Sequence, residues 1–195
     1  MKLPPTPRVL FLRELAGEIA HNYGHGRTIV AVDGPSYTAV FADDLAAVFR
    51  EAGHDAFRAS IVDFHRSRAE RTRLGEETAQ RYYEGAYDYG TLRRVLIDPF
   101  RMAGSTGFQT AAFDERRDAP IESRWETAQA DAILIIDGEF LLRPELRGSW
   151  NFSIELVDRE ENPIYEADAS PRLWASALVS DADPERPRRV FADSC

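Results

Sequence analysis

The sequence predicts an α/β fold built on a buried parallel sheet. Two runs carry that expectation: residues 28–32 (TIVAV) and 132–136 (AILII) are continuously apolar or β-branched. Strands buried on both faces read this way, whereas half-exposed strands alternate. The third observation is order, because helix-period segments fall between the strand runs.

The elements follow in turn. Residues 11–20 form an amphipathic helix, with Leu12, Leu15, Ala16 and Ile19 on one face. A glycine-containing connection at 23–27 leads into the first strand, and Asp33-Gly34-Pro35-Ser36 is a turn signal. Residues 39–52 read as a helix closed by Gly53, and 56–62 as a second strand. The polar, arginine-rich stretch 65–78 is irregular or partly helical. Residues 92–97 are apolar at helical spacing and are expected to stop before Pro99. A short strand at 108–114 and a polar loop at 118–122 precede the strong strand at 132–136, which ends in Asp137-Gly138. Residues 152–157 give another strand and 158–163 a charged turn. The tail alternates from 173 to 179 and then becomes rich in proline and arginine.

Composition narrows the class. A chain of 195 residues buries roughly 70% of the surface its unfolded form exposes, so it needs no covalent staples. No long linker divides it, and one domain over 1–195 is expected. The lone cysteine, Cys195, rules out a disulfide framework and a cysteine-based zinc site. No apolar run reaches membrane-spanning length, and residues 1–8 lack a signal-peptide pattern. A cytoplasmic location is therefore expected. With 24 basic and 33 acidic residues, the net charge of −9 argues against a nucleic-acid binder. Lys2 is the only lysine.

The first strand, turn and helix make the frame of a phosphate-binding loop, which needs G-x-x-x-x-G-K-[ST]. From Gly34 this chain reads G-P-S-Y-T-A-V-F, with Ala39, Val40 and Phe41 in place of glycine, lysine and hydroxyl. Read alone, that is an ordinary strand–turn–helix. The wider pattern is more specific. Segments 30–46 (VAVDGPSYTAVFADDLA), 59–66 (ASIVDFHR), 87–99 (YDYGTLRRVLIDP), 110–120 (TAAFDERRDAP), 136–146 (IDGEFLLRPEL) and 183–187 (DPERP) fall in one shared order. In these the chain resembles the uridine kinase-like family of P-loop nucleoside kinases, in its bacterial form, over nearly its whole length.

The resemblance implies a three-layer P-loop fold with about five parallel strands. It also implies ATP and Mg²⁺ as cofactors and a nucleoside or similar small hydroxyl compound as substrate. The residues it places at the cofactor loop are Gly34, Pro35, Ser36, Tyr37 and Thr38. Catalytic positions fall at Asp63 and Asp137, and substrate positions at His65, Asp114 and Arg116. The pattern also departs from the family. The loop is about two residues short and lacks its lysine, and Arg27 is the nearest upstream basic residue to replace it. The usual base position reads Val62, with Asp63 beside it; neighbours on a strand face opposite ways, so Asp63 serves only if the strand end is irregular. Gly85 stands at a sugar-binding acidic position, and Glu115 follows Phe113-Asp114 where a histidine is common. After residue 157 the sequence runs almost directly to its C-terminal segment, leaving no counterpart for the arginines of a lid. Three readings follow: a kinase-like protein impaired in catalysis with residual ligand binding, a working kinase with relocated residues, and a non-catalytic interaction protein with a protein partner.

Overall fold

The computed structural model describes residues 2–35, 37–73, 75–158 and 162–191. Helix α1 (Pro7–Tyr23) starts where Thr6 Oγ1 accepts the Val9 N–H at 3.2 Å and Pro7 fixes the first turn. Strand β1 (Thr28–Asp33) is buried throughout and leads to α2 (Thr38–Glu51). Gly53 follows α2 at φ 95°, the left-handed stop expected there. Strand β2 (Ala56–Ser60) comes next.

The expected strand at 56–62 ends early. At Ile61–Phe64 the chain winds into a 3₁₀ turn, held by the His65 N–H to Val62 O bond at 3.2 Å. Three short helices follow: α3 (Arg68–Thr72), α4 (Ala79–Gly85) and α5 (Tyr89–Leu92). The helix expected to end before Pro99 instead continues. A π-helical stretch at Arg93–Ile97 leads into α6 (Asp98–Met102), with Pro99 inside. Pro99 has no N–H for the carbonyl four residues back, Val95 O. That carbonyl accepts the Gln109 N–H at 2.8 Å instead.

The expected strand at 108–114 is reduced to β3 (Phe113–Asp114), paired with β4 (Ala119–Pro120) inside the segment read as a loop. Phe108 makes only an isolated bridge to Glu126. Strands β5 (Ile133–Gly138) and β6 (Phe152–Val157) lie where expected. Beyond β6 the chain does not pass directly to its end: α7 (Pro163–Ala169) and α8 (Pro171–Trp174) intervene. Strand β7 (Ala177–Ser180) then pairs with β8 (Arg188–Val190), which the proline- and arginine-rich composition concealed. Part of the charged turn read at 158–163, residues 159–161, lies outside the described residues.

The six-stranded sheet has the order β2-β5-β1-β6-β7-β8. The first five strands are parallel and β8 is antiparallel, so the expected five gain one edge strand. Period-2 alternation divides the core. Val30, Val32, Ile133, Ile135 and Ile154 face α1 and α2, meeting Leu12, Ile19, Phe41, Leu45 and Phe49. Ile29, Ala31, Leu134 and Ile136 face the other layer, meeting Phe64, Tyr87, Leu96, Phe100 and Phe140. The C-terminal ends of β1, β5 and β2 converge on one edge of this three-layer sandwich, where ligands of open α/β sheets bind.

Candidate functional site

Three strand ends meet there. Asp33 closes β1, Asp137 nearly closes β5, and Asp63 lies in the 3₁₀ turn after β2. Asp137 is 2% exposed, and both its carboxylate oxygens have partners. Thr38 Oγ1, in the first turn of α2, donates to Oδ2 at 2.8 Å. Arg58, from β2, donates through Nη2 to Oδ1 at 2.6 Å. The same guanidinium reaches Asp43 of α2 through Nε at 2.8 Å and Ile135 O through Nη1 at 2.7 Å. One side chain thus ties α2, β2 and β5 together.

Asp33 is also buried and also doubly bonded. Leu141 N–H donates to Oδ1 at 2.9 Å and the Tyr165 hydroxyl to Oδ2 at 2.6 Å. Burial raises its pKa to about 7; those two bonds pull against the rise, while the charges of Glu139 and Glu166 add to it. Beside it is a narrow cavity of about 40 Å³, lined by Gly34, Glu139, Glu155, Tyr165 and Arg172 among others. Glu139 accepts from the Tyr82 and Tyr87 hydroxyls, each at 2.8 Å.

The loop residues are distributed unevenly. Gly34 is buried, with its N–H on Gly138 O at 3.0 Å. Pro35 is exposed, and Ser36 lies outside the described residues. Tyr37 is 77% exposed and left-handed at φ 56° immediately before α2. Asp63 lies in the 3₁₀ turn, so the strand end is irregular there and strand alternation does not govern its side chain. Burial raises its pKa, and the charges of Asp137 and Asp114 push the same way.

Beside this edge lies a cleft of about 460 Å³. Phe64, His65 and Phe113 line it together with Arg66, Asp88, Arg94, Gln109 and Glu122. His65 is 4% exposed, takes a bond from Arg71 Nη1 at 2.7 Å on Nδ1, and packs 4.9 Å from the Tyr87 ring. Asp114 Oδ1 accepts from the Arg116 and Arg117 N–H groups at 3.0 and 3.1 Å, which holds the β3–β4 turn. Arg116 itself is exposed outside the cleft lining. Arg27 is at the opposite end of β1, where it donates to Gln129 O at 3.1 Å, Phe100 O at 3.0 Å, Gly104 O at 3.1 Å, and Ala128 O. It cannot stand in for a loop lysine.

Sequence reading missed Arg58, although a lone arginine inside AFRAS was a visible signal. It also missed Glu139, Tyr165 and Arg66; each gains its place through a contact distant in sequence or a turn.

The strand order and helical layers define a three-layer α/β fold around a mostly parallel six-stranded sheet, and solved structures share it. The most similar solved structures include one described as a possible uridine kinase from Bacillus stearothermophilus. It is 22% identical, with a TM-score of 0.71 over 88% of this chain and 96% of that one. A second, described provisionally as a fructose transport system kinase from Silicibacter sp. TM1040, is also 22% identical. Its TM-score is 0.60 over 84% of this chain and 78% of that one. No family model matches the chain, and no curated protein does. The fold expected from the sequence resemblance is therefore the fold present.

The ATP–Mg²⁺ pair that such a fold implies does not fit this strand-end site. The chain has no lysine beyond Lys2, the residue before α2 is a tyrosine, and Asp137 is engaged on both oxygens. Among the described residues, no group of three or more His, Cys, Asp or Glu side chains is placed to hold a metal ion.

Proposed function

We propose that this protein is a kinase-fold protein that binds a nucleoside or sugar-like polyol and is impaired in phosphoryl transfer. The observation that carries the reading is the cleft beside His65 and the β3–β4 hairpin. At about 460 Å³ it has the size of small-molecule sites, with an aromatic floor and a polar rim. Phe64, His65 and Phe113 form its packed wall, and Arg66, Asp88, Gln109 and Glu122 offer hydrogen-bonding groups for hydroxyls. The phosphate side lacks what transfer requires, since phosphoryl chemistry rests on positioning and charge stabilisation. The nucleoside or sugar class comes from the similarity to the two kinase structures, and a cytoplasmic setting accords with it.

The test is calorimetric titration with uridine and with fructose, beside a coupled assay for ATP turnover. Binding of one of them without turnover is expected, weakened about tenfold in Arg66→Ala, roughly the loss of one charge-assisted hydrogen bond. Absence of binding by both compounds would overturn the ligand class. Mg²⁺-dependent phosphorylation would overturn the impairment.

One observation favours a working kinase as the second reading. Asp63 lies in the 3₁₀ turn after β2, where burial and the charge of Asp137 raise its pKa, and a raised carboxylate pKa suits a proton acceptor. If the assay detects turnover, Asp63→Asn is expected to lower it by ~10²–10⁴-fold. A non-catalytic interaction role with a protein partner would leave both ligand titrations flat.

A further inference from the structure

Asp137 occupies the strand-end position where a carboxylate would hold a divalent cation, and it already faces a cation. Arg58 Nη2 is 2.6 Å from Oδ1, and the pair is deeply placed: side-chain exposure is 17% for Arg58 and 3% for Asp137. Thr38 Oγ1, the hydroxyl that would share a metal, is turned onto Oδ2 at 2.8 Å. The guanidinium is anchored on every side, by Asp43 Oδ1 at 2.8 Å, Ile135 O at 2.7 Å and Ala59 O at 3.0 Å. An arginine held at so many points cannot swing aside without leaving the buried Asp137 carboxylate short of its charged partner and two backbone carbonyls short of a donor, while the exposed Asp43 would turn to water. A divalent ion bound to Asp137 would share the carboxylate with this fixed positive charge, in a setting where water screens little.

We propose that Arg58 is the resident cation of this strand-end site, standing at Asp137 in place of a divalent metal. The site is then metal-free by construction. The neighbouring acids fit that assignment: Asp43 shares the same guanidinium at 2.8 Å, and Asp63 feels the charges of both Asp137 and Arg58. The inference concerns cation choice alone and holds whether or not the cleft binds a polyol.

The experiment is a Mn²⁺ titration of the whole chain followed by electron paramagnetic resonance, with thermal melts in parallel. The wild type and Asp137→Asn are expected to bind Mn²⁺ alike, through surface acids only. Arg58→Met is expected to gain one Mn²⁺ equivalent per chain and a Mn²⁺-dependent rise in melting temperature. Both gains disappear when Asp137→Asn is added. Arg58→Lys keeps the charge and is expected to gain nothing. The inference is overturned if the wild type holds a Mn²⁺ ion that Asp137→Asn loses, or if folded Arg58→Met gains no site. Should Arg58→Met fail to fold, the wild-type comparison with Asp137→Asn decides the matter alone. Uridine is absent from every arm, so failure here is separate from failure of the polyol reading.

Discussion

Asp33 carries a carboxylate that the fold holds more easily protonated than charged. Its pKa rises from an ordinary 3.8 to about 7 because burial disfavours the charged form. By linkage, its contribution is whole below 3.8 and drains away as pH climbs through about 7. Asp33→Asn can keep both bonds, with Tyr165 accepting rather than donating. The variant is expected to exceed the wild type in stability at pH 8 by a few kcal/mol, with the gap closing near pH 4; urea midpoints at the two pH values check this. Gly138 is a second single-residue constraint. It sits at φ 134°, and an added Cβ would lie 2.2 Å from Ile61 Cγ2. Gly138→Ala should cost about 2–4 kcal/mol in denaturant unfolding, and Ile61→Ala should cost less on that background than in the wild type, because it removes the clash. The turn glycine was legible as Asp137-Gly138, but its neighbour across the strands was not, since that contact spans β5 and the turn after β2.

The strands and the first two helices could be read from periodicity, because apolar runs and caps are local signals. The departures arise where a distant group satisfies what local rules leave open. Pro99 continues its helix because Gln109 supplies the N–H that Val95 O would otherwise lack. Strand β2 ends early because the 3₁₀ turn at Ile61–Phe64 begins there, and that turn also frees Asp63 from strand alternation. Asp137 lies next to the end of β5 and His65 lines the cleft, positions that the local sequence runs marked. Arg58 was not marked, since its role depends on three elements at once. Arg27 shows how an isolated basic residue misleads: its guanidinium holds carbonyls of α6 and two loops at the far edge. Arg27→Ala is expected to destabilise the chain by about 1.5–3 kcal/mol in urea unfolding while leaving ligand titrations unchanged.

At the scale of the molecule, the sheet separates two packed cores, and each side-chain register feeds only one of them. Leu12 is fully buried in the α1–α2 layer, so Leu12→Ala should cost about 2–5 kcal/mol without altering the cleft, as thermal unfolding and uridine titration together would show. The opposite layer gathers five phenols around Phe140. Tyr83, Tyr87 and Tyr165 are ring neighbours of Phe140, Tyr82 joins them, and Tyr89 packs on Tyr87. Burial first, and nearby acids in most cases, push all five hydroxyls above the usual tyrosine range. These are five of the seven tyrosines in the chain. Alkaline titration read by phenolate absorbance therefore becomes a built-in optical gauge. Most of its signal should arrive late and abruptly, when the aromatic layer opens, and a ligand that braces the neighbouring cleft should postpone it further.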